Sequence, residues 1–313
     1  MDKNLSLSFV RVTEAAAIAA ARWMGRGDRH AADGAAVEAM RSRFNQMDFK
    51  GTIVIGEGKK DEAPELYTGE KVGKGDGPEM DIAVDPLEAT DSVAKGLPNA
   101  LAVIVTGPKG SLLSAPDTYM DKIAIGPKGA KVINLDASVE ENLTRAAKAL
   151  SKDIAEITVV VLDRPRHETL ISEIRRVGAR VLLITDGDVA AAVATCQSES
   201  GIDVLMGIGG STEAVLAAAP VKIMGGEILC RFKPRSAEDE KEIRACGIGD
   251  INRIFTAEDL AKGDKLTFTA TGVVTGPMLQ GVLFKSDQII THSMVLRGAS
   301  KTLRYITTHH RDN

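Results

Sequence analysis

Between residues 157 and 206 the chain follows a pattern that few folds satisfy. Short β-branched apolar runs at 157–162, 181–184 and 204–206 are separated by helical spacings at 168–177 and 189–196. Runs that lack polar alternation belong to strands covered on both faces. Strands that alternate with helices predict a parallel α/β sheet. Similar runs at 52–55, 80–84 and 101–106 predict three strands earlier in the chain. Two amphipathic helices precede them, over residues 5–24 and from Ala31 to about Phe44, the second capped by Asp28. Hairpin-like strands are expected over 265–271, 282–284, 288–295 and 302–307, and a polar surface helix or excursion over 233–244. The class is α/β, with two sub-domains expected: an N-terminal one over 1–150 and a C-terminal one over 151–313. Which sheet the last strands join is open at this level.

Composition limits the function. The chain has 313 residues, 39 basic and 43 acidic side chains, and only 4% aromatics. A net charge of −4 with so few stacking platforms argues against a nucleic-acid partner. Cys196, Cys230 and Cys246 form no CxxC pair, which fits reduced thiols and offers no thiolate zinc site. The apolar stretch 15–21 is too short to span a bilayer, so no membrane partner and a cytoplasmic location are expected.

The most informative segment is Asp85-Pro86-Leu87-Glu88-Ala89-Thr90. A strand is expected to deliver Asp85 at its end, with Pro86 turning the chain out of the ladder at once. Two carboxylates and a hydroxyl bunched this closely repel or compete unless a cation neutralises them. An all-oxygen donor set selects Mg2+ or Mn2+. Another strand ends in Gly56-Glu57-Gly58, bringing a further carboxylate to a strand end. The competing reading is a capping turn, since turns commonly gather Asp, Pro and Thr.

A strand ending in Asp-Pro-Leu-Glu-x-Thr, preceded by a Glu-bearing strand end, resembles the lithium-sensitive, metal-dependent sugar phosphatase superfamily. Within it the chain resembles the class II fructose-1,6-bisphosphatases. The resemblance runs through Gly25-Arg26-Gly27-Asp28, Ala32-Asp33-Gly34, residues 51–61 with Glu62-Ala63-Pro64, and residues 117–120. It continues through Arg164-Pro165-Arg166-His167, Asp186-Gly187-Asp188, Gly207-Ile208-Gly209-Gly210 and Arg297-Gly298. Each piece is weak alone, and together in order they are specific.

The resemblance implies a layered α-β-α-β-α fold with two sheets flanked by helices. It implies hydrolysis of the 1-phosphate of fructose 1,6-bisphosphate in gluconeogenesis, with sedoheptulose 1,7-bisphosphate as a possible second substrate. Two divalent ions, Mn2+ or Mg2+, would activate water for in-line attack. Asp33 and Glu57 would hold one ion, and Asp85, Glu88 and Glu213 the other. Thr90 would position the attacking water, with Asp61 assisting. Substrate contacts would come from Glu88, Ala89, Thr90, Tyr119, Arg164, Pro165, Arg166, Asp186, Gly187, Asp188, Gly210 and Arg29. The turn at 207–210 is expected to open a helix whose amides cradle phosphate. A homo-oligomer, dimer or tetramer, is also implied.

Two positions depart from the family pattern. Ala89 stands where Gly is usual, which narrows the room there or restricts a positive φ. Arg29 stands where Lys is common, and the two present different geometry to a phosphate. His167 reads as structural, and His309 and His310 as a solvated tail. The alternatives are another lithium-sensitive phosphatase acting on inositol or nucleotide phosphates, or a non-catalytic sugar-phosphate sensor. Arg164, Arg166 and Tyr119 favour a second anionic group on the substrate and so speak against inositol monophosphate. Intact metal-ligand carboxylates speak against a sensor. The acid excess does not exclude an anionic substrate, because two divalent ions nearly cancel the five carboxylates proposed to hold them.

Overall fold

The computed structural model describes residues 5–58 and 65–311. It has two mixed sheets with helices packed on them, and the chain divides into two compact units. The first unit takes in residues 1–113 and 263–313, and the second residues 114–262. Compared with sub-domains over 1–150 and 151–313, the first unit ends earlier and regains the C-terminal strands. The reason is visible in the sheet pairing.

In the first unit, α1 (Leu5–Ala21) and α2 (Arg29–Phe44) precede β1 (Lys50–Ile55), β2 (Lys71–Val72) and β3 (Glu79–Glu88). Then come α3 (Thr90–Lys95) and β4 (Ala100–Pro108). The helix expected over 5–24 stops at Ala21, ahead of the Gly25 and Gly27 turns. Asp28 caps α2 as its sequence implies, accepting from the Ala31 amide at 3.0 Å.

The second unit holds β5 (Tyr119–Ile125), α4 (Val139–Leu150), β6 (Thr158–Leu162), α5 (Glu168–Val177) and β7 (Arg180–Ile184). It continues with α6 (Asp188–Ala194), β8 (Val204–Gly210), α7 (Ser211–Ile223) and β9 (Glu227–Phe232). It closes with α8 (Ala237–Ala245), β10 (Phe255–Thr256) and α9 (Ala257–Leu260). The chain then returns to the first unit as β11 (Thr267–Val274), β12 (Leu283–Phe284), β13 (Gln288–Arg297) and β14 (Thr302–Arg311).

The first sheet runs β12-β13-β11-β4-β3-β1-β2, with β14 on the far edge of β13. β11 lies antiparallel to β4, with Thr267 opposite Thr106 and Thr271 opposite Ala102. β4 is buried from Ala100 to Gly107, so both its edges need a partner, and β11 supplies one of them. His309 and His310 are therefore not a loose tail. They lie in β14, opposite Ile290 and Ile289 of β13, and His310 Nε2 meets Thr291 Oγ1 at 2.9 Å. Buried hydroxyls tie these late strands to α1: Thr13 Oγ1 is 2.7 Å from Thr271 Oγ1, which is 2.8 Å from Ser293 Oγ.

The second sheet runs β10-β9-β5-β8-β6-β7. β6 lies parallel to β7 and β8, as the alternation of strand and helix demands. β5, which the apolar-run reading passed over, lies antiparallel to both β8 and β9, so the sheet is mixed rather than parallel. β7 was expected to be buried but is an edge strand, with Leu182 and Leu183 exposed.

Each unit has its own core. In the first, Phe9, Phe44 and Phe49 are fully buried and meet edge to face, with ring centroids 5.6–6.3 Å apart. Truncating Phe9 removes the ring that touches both others. Phe9→Ala should cost about 3–5 kcal/mol of unfolding free energy, read by urea denaturation. A loss under about 1 kcal/mol would show that the cluster collapses to fill the space.

Candidate functional site

β1 and β3 are adjacent and parallel, with Ile55 opposite Ala83. Each chain runs two residues further to a carboxylate, Glu57 from one and Asp85 from the other. Glu57 thus lies just past the end of β1, and Asp85 lies within β3, beyond its last residue paired with β1. Gly56 permits the tight exit of β1, since a Cβ there would lie 1.9 Å from the Leu66 carbonyl oxygen.

Beyond Asp85 the structure corrects the expected ending. Pro86 does not take the chain out of the ladder: β3 continues to Glu88, and pairing with β4 resumes at Glu88–Leu101 after a register shift. Pro86 is tolerated because it sits in this bulge and beyond the last residue paired with β1. The segment is held locally. Asp85 Oδ1 accepts from the Leu87 amide at 3.0 Å, and Thr90 Oγ1 donates to the Leu87 carbonyl at 3.1 Å. Glu88 is buried at 2% exposure.

Ala89 takes φ 71° and ψ 51°, a left-handed conformation. The methyl group thus stands at a position that glycine would occupy without strain, which accounts for the backbone consequence of this departure. Thr90 follows as the first residue of α3. Arg29 opens α2 and sits 3.7 Å from Asp91 at the start of α3, on the surface. Asp33 is half-buried on α2, which packs against β3 and α3. Burial pushes its carboxyl above the usual range, against the pull of His30 and Arg29. Asp61 lies outside the described residues.

In the second unit the Gly207–Gly210 segment is not a turn but the end of β8, paired with Lys122 to Tyr119 of β5. The glycines have another use. A Cβ at Gly209 would lie 2.0 Å from Asp188 Oδ2, and one at Gly210 would lie 1.8 Å from Glu213 Oε2. Each missing side chain makes room for one carboxylate, Asp188 at Gly209 and Glu213 at Gly210, on alternate faces of the strand. Asp188 is the first residue of α6, after Gly187 in a left-handed conformation. Glu213 stands in the first turn of α7, with Thr212 Oγ1 donating to it at 2.7 Å. Desolvation raises the Glu213 carboxyl, Asp188 raises it further, and Lys122 opposes both.

Two arginines of this unit meet at Tyr119. The Arg166 guanidinium lies 4.6 Å from the ring centroid and that of Arg235 lies 5.0 Å from it. Arg166 donates to the Ile208 carbonyl through both Nε and Nη2, at 3.1 and 2.9 Å. Arg164 is half-buried and donates to the Asp163 carbonyl at 3.1 Å, and Pro165 follows it as the first residue of a short turn of 3-10 helix. Asp186 accepts from the Gly187 amide at 3.2 Å. The sequence reading overlooked Arg235 and Lys122. Arg235 sits in a polar stretch that reads as surface, while its partner Asp239 is buried and also accepts from Thr118 Oγ1 at 2.6 Å. Lys122 lies inside an apolar strand pattern, and no local spacing marks it.

His167 is structural, as expected. Its Nε2 accepts from the Ile208 amide at 2.7 Å, so Nδ1 carries the proton and donates to the Leu162 carbonyl, also at 2.7 Å. With both ring nitrogens taken by backbone, it has no face left for proton transfer.

Among the described residues no three His, Cys, Asp or Glu side chains cluster closely enough to hold a metal ion by themselves. The donor chemistry nonetheless fits a hard divalent cation. In the first unit Asp33, Glu57, Asp85 and Glu88 offer only oxygen, as does Glu213, taken by itself, in the second. Burial raises Asp33 and Glu213, a cost that a bound cation offsets. Among the described residues, no helix is long and apolar enough to cross a membrane.

Acids at one end of paired strands suit a hard cation, and arginines beside an aromatic ring suit an anionic group, the chemistry of enzymes that act on phosphorylated small molecules. The comparisons make this specific. The family model described as bacterial fructose-1,6-bisphosphatase, glpX-encoded, matches residues 3–310. The chain is 44% identical over 323 aligned positions to fructose-1,6-bisphosphatase 1 class 2 of Escherichia coli (strain K12), covering 99% of this chain and 96% of that protein. The same figures hold for the class 2 fructose-1,6-bisphosphatases of Escherichia coli O6:H1 and Shigella flexneri. The chain belongs to the bacterial class 2 fructose-1,6-bisphosphatase family, a group of phosphoric monoester hydrolases.

Two outcomes follow from the site geometry. Ala89→Gly should raise unfolding free energy by about 1 kcal/mol by relieving the left-handed alanine, measured by urea denaturation. An unchanged or lower stability would refute strain at this position. His167 is held neutral by burial, below the ordinary histidine value. The unfolded chain thus binds the extra proton first, and stability is lost as pH falls below about 6.5. The stability advantage of wild type over His167→Gln should therefore be full near pH 8 and shrink towards pH 5. A gap that widens on acidification would contradict this.

Proposed function

We propose that the protein hydrolyses the 1-phosphate of D-fructose 1,6-bisphosphate to D-fructose 6-phosphate and phosphate, a step that serves gluconeogenesis in the cytoplasm. The observation that supports this reading is the register of β1 and β3, which brings Glu57 and Asp85 to the same end of two paired strands, with the Thr90 hydroxyl anchored on the Leu87 carbonyl five residues after Asp85 in sequence. In this reading Asp33 and Glu57 hold one divalent ion, and Asp85, Glu88 and Glu213 a second, each Mn2+ or Mg2+. When bound, such ions activate water and neutralise charge on the transferring phosphoryl group.

The chain's own residues do the rest. The Thr90 hydroxyl, fixed by its donation to the Leu87 carbonyl, accepts a hydrogen bond from the attacking water and orients it. Asp61 takes part in the proton transfers. Glu88, Ala89 and Thr90 line the reacting phosphate, with Arg29 as a nearby cation. Arg164 and Arg166 grip the second phosphate beside Tyr119, with Pro165 setting the direction of the loop between them. Asp186 and Asp188 accept from sugar hydroxyls, and the Gly187 and Gly210 backbone approaches the substrate without a side chain in the way. Sedoheptulose 1,7-bisphosphate carries the same two phosphates on a longer ketose and is proposed as a second substrate. A homo-oligomer, dimer or tetramer, is proposed as the working assembly.

Phosphate release from fructose 1,6-bisphosphate, measured with Mn2+, with Mg2+ and after chelation, tests the reading. We expect metal-dependent release from the bisphosphate and little from inositol 1-phosphate. No release, or faster release from inositol 1-phosphate, removes the assignment. Thr90→Ala and Glu57→Ala should each lose about a hundredfold or more in turnover while remaining folded. Near-normal rates in either variant would overturn its role.

A further inference from the structure

Lys122 lies on β5 in the interior of the second sheet, opposite Gly207 of β8 on one side and Cys230 of β9 on the other. It is 3% exposed, and its ammonium is 2.7 Å from Asp188 Oδ2, a carboxylate that is itself buried. A lysine is rarely fully buried without a fixed partner, because taking the ammonium out of water is offset only by good geometry. Here the geometry is built. β8 lacks side chains at 209 and 210, and that space is occupied by Asp188 Oδ2 and Glu213 Oε2. A Cβ at Gly209 would stand 3.0 Å from Lys122 Nζ as well, so any larger residue would collide with both members of the pair.

Two carboxylates act on this lysine: Asp188, its ion-pair partner at 2.7 Å, and Glu213. Cys230 is buried beside them, and burial pushes its thiol up to about 12, so it adds no negative charge. Gly187 fixes the backbone that leads into Asp188. What remains is the torsion of one carboxylate, and Lys122 holds one of its two oxygens.

We propose that Lys122 is a positioning residue for substrate binding: its buried ammonium locks Asp188 so that Oδ1 is left as the acceptor for a sugar hydroxyl. The inference rests on the reading of Asp188 as a substrate contact. It predicts that Lys122 acts on affinity for the sugar, through Asp188, rather than on the chemical step.

The test compares wild type, Lys122→Met, Asp188→Asn and the double variant by steady-state phosphate release from fructose 1,6-bisphosphate, with thermal unfolding followed in parallel. Lys122→Met should raise KM roughly tenfold or more, with kcat within about threefold of wild type. Asp188→Asn should do the same. The double variant should show a KM no more than about twofold above the higher single, because both changes act through one carboxylate. A Lys122→Met protein that melts earlier but keeps its KM shows a merely structural lysine and overturns the proposal. KM effects that multiply in the double variant overturn it too. If Lys122→Met fails to fold, Asp188→Asn is compared with the double variant, whose Met–Asn pair leaves no unpaired charge. A further rise in KM beyond about threefold then counts against the proposal, and an unchanged KM supports it. Wild-type protein that releases no phosphate from the bisphosphate removes the substrate reading as well, a result distinct from an active wild type with an indifferent Lys122.

Discussion

β4 needs a partner on each edge, and the first unit is organised around that need. Its residues are buried from Ala100 to Gly107, so neither edge can be left to water. β3 covers one edge, and β11, more than 150 residues further on, covers the other. The chain must therefore leave the first unit after β4, complete the second unit and come back. The late strands arrive with their own fastening in the Thr13–Thr271–Ser293 hydroxyl chain. Without that return, the strand that supports β3 would itself be an open edge.

The support matters because β3 carries the most chemically loaded segment of the protein. A strand held on both sides as far as Ala83 can tolerate a proline and a bulge beyond that point. The bulge spends its irregularity locally: Leu87 binds both Asp85 and Thr90 through its backbone, and Ala89 takes the left-handed conformation that turns the chain into α3. The second unit solves a similar problem by other means. There, each glycine at the end of β8 leaves room for a carboxylate from a helix, Asp188 at Gly209 and Glu213 at Gly210. In the first unit the strand is bulged where acidic groups crowd, and in the second the strand stays regular and gives up its side chains instead.

Much of this was legible in the chain. Asp28 as a cap, α5 over residues 168–177, and β6, β7 and β8 follow from local spacing, because those choices are made by neighbours in sequence. Asp85, Glu88 and Thr90 stood out through the family pattern they match in order with the rest of the chain, since crowding alone also fits a capping turn. Other features were invisible. β5 carries Asp121 and Lys122 in its middle, which breaks an apolar pattern, and only its place between β8 and β9 explains them. Arg235 gave no signal because its partners, Tyr119 and Thr118 with Asp239, lie either far away in sequence or in a stretch that reads as surface.

By itself, then, the sequence determined many of the strands and helices, the Asp28 cap and the family to which the chain belongs. These are properties of short windows, governed by side-chain periodicity, capping and steric limits on φ. Only the tertiary structure decided that Pro86 stays within β3, that residues 207–210 are strand, and that the final strands belong to the first unit. It alone decided that Lys122 is buried against Asp188. Each of those outcomes depends on what lies across a sheet from the residue concerned. The backbone's need to satisfy its hydrogen bonds and the cost of an unpaired buried charge act through space, without regard to distance along the chain.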